Sequence, residues 1–290
     1  MLTALIERNL MTYEFVCREG TTVCHSVAET YHKFDEPSCS DLKLLGKSPR
    51  EYKARKISKS APDFSTEALK YGTLLHVWGE IGPKEFWPLA LKPPLELCTA
   101  SGGMGAKAKK WVEDQDPDYI VISPSDFKKL KSQTDALLDN EEVCKIMEAQ
   151  VDTEFNIRTS WNGYRCRSRV DGATEQFGFD WKTTSEKYPS ETWAAPAKKY
   201  GYHMQSAMYT ELLTHVGFPR EPLRFIVTST VWPFENFVTY MPDELLQIGY
   251  KKCMSLLEEL ESRKEWDNWQ RYDAVGTVKL KVPNYLLKGD

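Results

Sequence analysis

The 290-residue chain has no run of about 18 consecutive apolar residues, so a transmembrane helix is not expected. Met1 to Cys17 also lacks the apolar run of a secretory signal and carries Glu7, Arg8 and Glu14 instead, which points to a cytoplasmic protein. Cys-x-x-Cys pairs are missing too. The seven cysteines, Cys17, Cys24, Cys39, Cys98, Cys144, Cys166 and Cys253, are odd in number, as expected of reduced thiols in a reducing compartment. Cys17, Cys24, His25 and Cys39 follow no common zinc spacing and read as scattered residues. Positive charge is not in excess: 38 Lys and Arg against 42 Asp and Glu leave a net charge of −4. The overall field therefore selects no polyanion, and any nucleic-acid contact must come from local basic patches. The glycine-rich Ser101-Gly-Gly-Met-Gly-Ala stretch lacks the Gly-Lys-Ser/Thr ending and a leading apolar strand, which excludes a P-loop. It reads as a mobile basic loop carrying Lys107 and Lys109. No internal repeat or low-complexity segment occurs, and 41% hydrophobic with 28% charged positions is an ordinary globular balance for one or two domains.

What is present centres on Arg165 to Thr184, two β-type runs around Gly172-Ala173-Thr174. Side chains alternate across a strand, so Asp180 and Lys182 share one face while Phe179 and Trp181 take the other. Arg165, Arg167, Arg169 and Asp171 likewise share a face of the first run. Pairing the runs brings Asp171 beside Asp180 at one end. Two close carboxylates repel unless a cation lies between them, and a hard divalent metal is the natural occupant. A surface hairpin with ordinary charges would explain a lone Asp-x-Lys, but this one has company along the chain.

Residues 1–36 read as an arm or hairpin ahead of the main body. Ser38 and Asp41 cap a short helix that Gly46 ends. Arg50 to Lys59 is basic and reads equally as a solvated helix face or a phosphate-tracking patch. A helix from Ser65 carries Leu69, Gly72, Leu75, His76 and Gly79 on or near one stripe, and the glycines imply close approach to another element. Taken alone, His76 on that stripe reads as a core histidine. Helices are expected at about 123–138 and 140–150. A three-stranded meander then covers about 153–161, 164–171 and 176–182, its first turn made by Asn162-Gly163. A long helix over 194–216 places Tyr202, Gln205 and Tyr209 at i, i+3 and i+7, with Gly217 ending it. Strands at 223–232 and 236–240 and an amphipathic helix over 242–267 complete a domain spanning 37–268, with 269–290 as a tail.

A helix with Gly-x-x-x-His, then Asp171 and Asp180-x-Lys182 on a meander, then Gln-x-x-x-Tyr on a helix resembles the PD-(D/E)XK nucleases of the RecB type, most of all the exonuclease VIII (RecE) and phage exonuclease group. Ser40 to Leu45, Ser48-Pro-Arg-Glu-Tyr-Lys53 and Gly72-Thr-Leu-Leu-His76 extend the likeness. Val170 departs from it, standing where the superfamily's name has proline. The resemblance implies an α/β fold with a mixed central sheet flanked by helices. It implies Mg²⁺ or Mn²⁺ held by Asp171, Asp180, the Trp181 carbonyl and His76, with Glu154 at an additional acidic position. Lys182 would orient and help deprotonate the attacking water, while Gln205 and Tyr209 position the lysine and the DNA backbone. Arg169 and Arg167 on β-face positions, with Lys107 and Lys109, would hold DNA phosphates. The implied activity is 5′ to 3′ digestion of double-stranded DNA ends, leaving 3′ single strands for an annealing or recombinase protein. It also implies a toroidal homo-oligomer in a bacterial or phage-infected cell. Two alternatives are a catalytically idle DNA-binding or scaffold module, and an end-trimming nuclease of the CRISPR-adaptation kind. The latter carry a four-cysteine iron-sulfur set that is missing here.

Overall fold

The computed structural model describes residues 13–25, 28–62 and 67–270. In chain order the elements are β1 (Thr22–His25), α1 (Ala28–Lys33), α2 (Cys39–Lys47), α3 (Pro49–Tyr52), α4 (Glu67–Ile81), α5 (Pro83–Leu89), β2 (Ala90–Leu91), α6 (Ala106–Glu113), β3 (Ile120–Val121), α7 (Pro124–Leu138), α8 (Glu141–Glu148), β4 (Gln150–Trp161), β5 (Tyr164–Thr174), β6 (Gly178–Thr184), α9 (Pro189–Thr192), α10 (Ala194–Lys199), α11 (Tyr202–Thr214), β7 (Arg224–Ser229), β8 (Asn236–Tyr240) and α12 (Asp243–Trp266). The main sheet has six strands in the order β1-β4-β5-β6-β7-β8. It is mixed: β6 and β7 run parallel and the other neighbours antiparallel. No described helix is long and apolar enough to cross a membrane.

The expected meander is β4, β5 and β6. Asn162 and Gly163 adopt φ of 50° and 87° between the paired Trp161 and Tyr164, the left-handed turn that the Asn-Gly pair favours. Alternation then sends each strand's side chains into two cores. On β7, Phe225 and Val227 enter the core beneath α2, α11 and α12, and Ile226 enters the core beneath α4, α5 and α7. Phe179 and Trp181 on β6 join the second core. Asp180 and Lys182 therefore turn toward α11, as the alternation predicts.

Three expectations change. The start of the 1–36 segment lies outside the described residues, but Thr22–His25 pairs with β4 as an edge strand, and Tyr13 stacks 4.8 Å from Phe218. Its described part thus belongs to the main sheet's body. The helix expected over 194–216 is broken into α10 and α11, because Gly201 takes a left-handed φ of 64° against α2, where a Cβ would lie 2.9 Å from Lys43 Cδ. Pro196 lies in the first turn of α10, where its missing N–H is tolerated. The basic segment 50–59 is largely neutralised by its own chain: Arg55 pairs with Glu51, Lys56 with Asp41 and Lys53 with Asp267. The expected start of α4 near Ser65 and the tail beyond residue 270 lie outside the described residues, although Trp269 is buried on Tyr52, with ring centroids 5.8 Å apart.

Candidate active site

β5 and β6 are paired at Gly172 with Phe179 and Ala173 with Gly178, and nowhere else along their lengths. Beyond those positions β5 stays on β4 and β6 stays on β7, so the sheet forks. Residues 34–38 fill the widening, where the Pro37 carbonyl accepts the Arg167 N–H at 3.1 Å. Both candidate aspartates sit at the mouth of this fork. Asp171 Oδ2 accepts the Trp181 N–H at 2.8 Å, a side-chain acceptor replacing a lost ladder partner. The N–H and C=O of one strand residue point to the same side, so the Trp181 carbonyl also opens into the fork.

Helix α4 closes the site from the second core. A Cβ on Gly79 would lie 2.4 Å from Trp181 Nε1, so only glycine allows α4 this close to β6. That approach puts His76 Nδ1 3.1 Å from Asp171 Oδ2. His76, Glu154 and Asp171 each offer a ligand atom, and these atoms lie within 4.8 Å of one another. Glu154 reaches the cluster from β4 with a left-handed φ of 50° and also pairs with Arg169. On the α11 side, Gln205 Nε2 donates to Asp180 Oδ1 at 2.5 Å, and Lys182 Nζ pairs directly with Asp180 Oδ2. The Lys182 ammonium lies 5.1 Å from the Tyr202 ring centroid. One imidazole with several carboxylate oxygens is a donor set suited to a divalent cation.

The electrostatics are those of a crowded acidic site. Burial opposes ionisation at both aspartates. At Asp171 the His76 charge and hydrogen bond overcome it, and the pKa falls below the ordinary value. At Asp180 burial and the neighbouring Asp171 charge prevail, and the pKa rises. Glu154 is pushed up to about 7 by burial and then by Asp171, with Arg169 working against the rise. Burial alone would lower His76, yet Asp171 and Asp180 lift it to about 9. Lys182 rises for the same reason, the two aspartates outweighing burial.

The structure thus gathers His76, Glu154, Asp171, Asp180, the Trp181 backbone, Lys182 and Gln205. Tyr209, one turn beyond Gln205, is buried in the first core and lies within electrostatic reach of Asp180. Arg169 stands at the cluster through Glu154. Arg167 does not serve the expected contact with DNA. Its side chain is 1% exposed, bonded to the Phe34 and Glu36 carbonyls and to Asp41, and stacked 4.6 Å from the Tyr31 ring. Neighbouring acceptors take up both of its terminal nitrogens, so it is a structural residue. Lys107 and Lys109 are exposed, but on helix α6 rather than on a mobile loop. The preceding turn is bound by Gly103 N–H to Thr99 Oγ1 at 2.9 Å and Ser125 N–H to the Gly102 carbonyl at 3.2 Å. Sequence reasoning missed Glu80, whose carboxyl is raised by burial and feels Arg169, Asp171 and His76. The signal was available: His76 and Glu80 are four apart on α4 and face the same way.

A family model for a PDDEXK-like domain of unknown function (DUF3799) matches residues 38–274. No curated protein sequence matches the chain. Among solved structures it is similar to a candidate exonuclease from Eubacterium rectale, with a TM-score of 0.58 and 16% identity over 91% of this chain and 98% of that one. At that identity the likeness is one of fold. With the family match spanning most of its length and the forked sheet carrying Asp171, Asp180 and Lys182, the chain belongs to the PDDEXK-like family DUF3799, within the PD-(D/E)XK superfamily.

Proposed function

We propose that this protein is a Mg²⁺- or Mn²⁺-dependent exodeoxyribonuclease that hydrolyses phosphodiester bonds at the ends of double-stranded DNA. The observation that carries the reading is the convergence of Asp171, Asp180 and Glu154 with His76 at the strand fork, with Lys182 beside them. His76, Glu154, Asp171 and Asp180, with the Trp181 carbonyl, would hold the cation. When bound, the cation supplies Lewis-acid charge at the scissile phosphate and makes water a competent nucleophile at neutral pH.

The chain's own residues do the rest. Lys182 is held charged by the aspartates, so it orients the attacking water and steadies negative charge developing on the phosphate. Gln205 fixes the Asp180 carboxylate by donating to one of its oxygens, leaving its direction set before substrate arrives. Arg169, paired with Glu154 and still partly exposed, would meet a phosphate. Digestion runs 5′ to 3′ and leaves a 3′ strand for an annealing or recombinase partner, as the resemblance to phage exonucleases implies. A toroidal homo-oligomer would confine the DNA contacts of this net-acidic chain to its channel. The likeness in fold to a candidate exonuclease supports the enzyme class.

The test uses duplexes labelled separately at the 5′ and 3′ ends. Nucleotide release that requires Mg²⁺ or Mn²⁺ and begins at the 5′ label is the expected result. Protein that binds duplex ends yet releases nothing across both titrations would be a scaffold module instead.

A further inference from the structure

A groove of about 720 Å³ runs between the C-terminal part of α2, the α10–α11 junction and the exposed side of α12. Its walls carry Lys43, Lys47, Lys198, Lys199 and Lys252, and no Asp or Glu lines it. Among the described residues none of these five lysines has a carboxylate partner, in contrast to the paired cations of segment 50–59. Lys43 donates to the Tyr200 carbonyl at 3.1 Å, and five like charges gathered on a chain of net charge −4 make a local positive potential that favours an anion there. Tyr200 stands among them 52% exposed, its ring 5.2 Å from Lys199 Nζ. The Gly201 break that splits the expected long helix is what turns this ring and the two preceding lysines outward beside α2.

The groove and the site at the fork share Tyr202 as a wall. The Tyr202 ring carries Lys43 Nζ at 5.7 Å and Lys182 Nζ at 5.1 Å, so one aromatic ring links a groove lysine to the candidate catalytic lysine. A polyanion lying along the lysines would arrive with a phosphate at Lys182. Exposed aromatic faces interleaved with lysines serve unpaired bases, which offer their π-faces, whereas a duplex keeps its bases stacked internally.

We propose that this groove binds a single strand of nucleic acid, with its phosphates on Lys43, Lys47, Lys198, Lys199 and Lys252 and a base stacked on Tyr200, and leads that strand to the fork. This inference rests on the phosphodiesterase reading for the strand's destination, though not for the binding itself. The strand to be cut is therefore separated from its complement before it reaches Asp171 and Asp180.

Binding is measured by fluorescence anisotropy with a labelled oligothymidylate in EDTA, where no hydrolysis occurs, across a salt titration. The Lys198→Ala/Lys199→Ala/Lys252→Ala protein should bind more weakly. The slope of log affinity against log salt should flatten by about 2, since each phosphate contact on a single strand contributes about 0.7. Arginines at the same positions should keep both affinity and slope. Tyr200→Ala should lose about ten-fold or more on the oligothymidylate and nothing on a closed hairpin duplex. Unchanged single-strand binding in the lysine and tyrosine variants overturns the proposal. So does an equal loss on hairpin duplex, which would make the groove a duplex-backbone track. If the variants lose single-strand binding while the unmodified protein releases no nucleotides with Mg²⁺ or Mn²⁺, the groove stands and the nuclease reading falls. If the unmodified protein digests DNA and the variants bind normally, the groove reading falls alone.

Discussion

Two buried ion pairs sit on neighbouring strands of one sheet, Arg167 with Asp41 and Lys182 with Asp180, and their side chains are all at most 15% exposed. Asp41 is saturated: it accepts from Ser38 N–H at 3.0 Å, Ser38 Oγ at 2.9 Å and Arg167, and its other oxygen pairs with Lys56 at 2.7 Å. Among the described residues no cluster of three metal-ligating groups includes it. Asp180 has a cation and an amide donor, yet it shares the fork with Asp171, and burial and that neighbour push its pKa upward. The first pair has its carboxylate fully met within the fold and ties residues 34–41 to the sheet. The second belongs to a set of carboxylates that the fold leaves mutually repelling, an arrangement that favours binding a further cation. A buried charge pair is thus a mark of function only where like charges remain uncompensated beside it.

The sharpest separation comes from removing one cation from each pair. Lys182→Ala should reduce kcat by at least about a thousand-fold while the protein melts within a few degrees of the unmodified chain, because the lysine acts on charge formed in the transition state. End-labelled duplex digestion and thermal melting read the two effects. Arg167→Ala should do the reverse: a stability loss of about 2 to 4 kcal/mol, read by urea unfolding, because the Phe34 and Glu36 carbonyls lose their buried donor and Asp41 is left with Lys56 and Ser38 alone. Lys at 167 should restore little, since a single ammonium cannot reach two carbonyls and a carboxylate in fork geometry. Equal loss of stability in the two variants would erase the distinction between them.

How far this was legible beforehand depends on the sequence distance of each partner. The meander, the Asp180 and Lys182 face and the close approach of α4 followed from alternation, Asn162-Gly163 and the glycine spacing around His76, all local signals. The fate of Arg167 was not local: Asp41 lies 126 positions away, and a face of three arginines before Asp171 reads the same whether solvent or buried carboxylates meet it. The break at Gly201 was hidden because apolar residues on both sides keep helical spacing, while the constraint comes from Lys43 on α2. The edge pairing of β1 depends on Thr22 to His25 meeting β4 across more than a hundred residues, and neither strand announces the other.

A smaller effect tests how α4 delivers His76 to the repelling set. Gly79→Ala places a methyl 2.4 Å from the Trp181 indole, so α4 must shift, at about 1 to 3 kcal/mol of stability. The shift withdraws His76 from Asp171, and the apparent Mg²⁺ affinity should fall by about 10- to 100-fold. At Gly72, on the same helix, the nearest atom to an added Cβ is Thr183 Oγ1 at 3.8 Å. Gly72→Ala should therefore leave metal affinity unchanged, or improve stability slightly through helix propensity. Metal titrations of digestion rate in the two variants check this, and parallel losses would mean that Gly79 is not the contact that matters.

A further effect is one of sign, and it contrasts Glu36 with Glu154. Burial opposes the ionisation of Glu36, but Arg158 at 2.7 Å and Arg165 at 3.2 Å overcome it and hold its pKa below 4.5. Its folded form thus keeps fewer protons than the unfolded chain, and its stabilisation is present above pH 4.5 and lost as pH falls through the depressed value. Glu154 moves the other way, from 4.5 to about 7, chiefly through burial and then Asp171. Its folded form keeps the proton longer, so its contribution is whole below pH 4.5 and declines as pH rises toward about 7. Metal-free protein should therefore lose about 3 kcal/mol between these values through Glu154, and Glu154→Gln should flatten that decline. Glu36→Gln should flatten only the acid limb. Added Mg²⁺ should restore stability above pH 7 in the unmodified protein, because the cation takes the place of the proton among the carboxylates. Urea unfolding across pH, with and without Mg²⁺, measures all of this, and a neutral-side decline unchanged by Glu154→Gln would show that Glu154 does not share the charge of the fork.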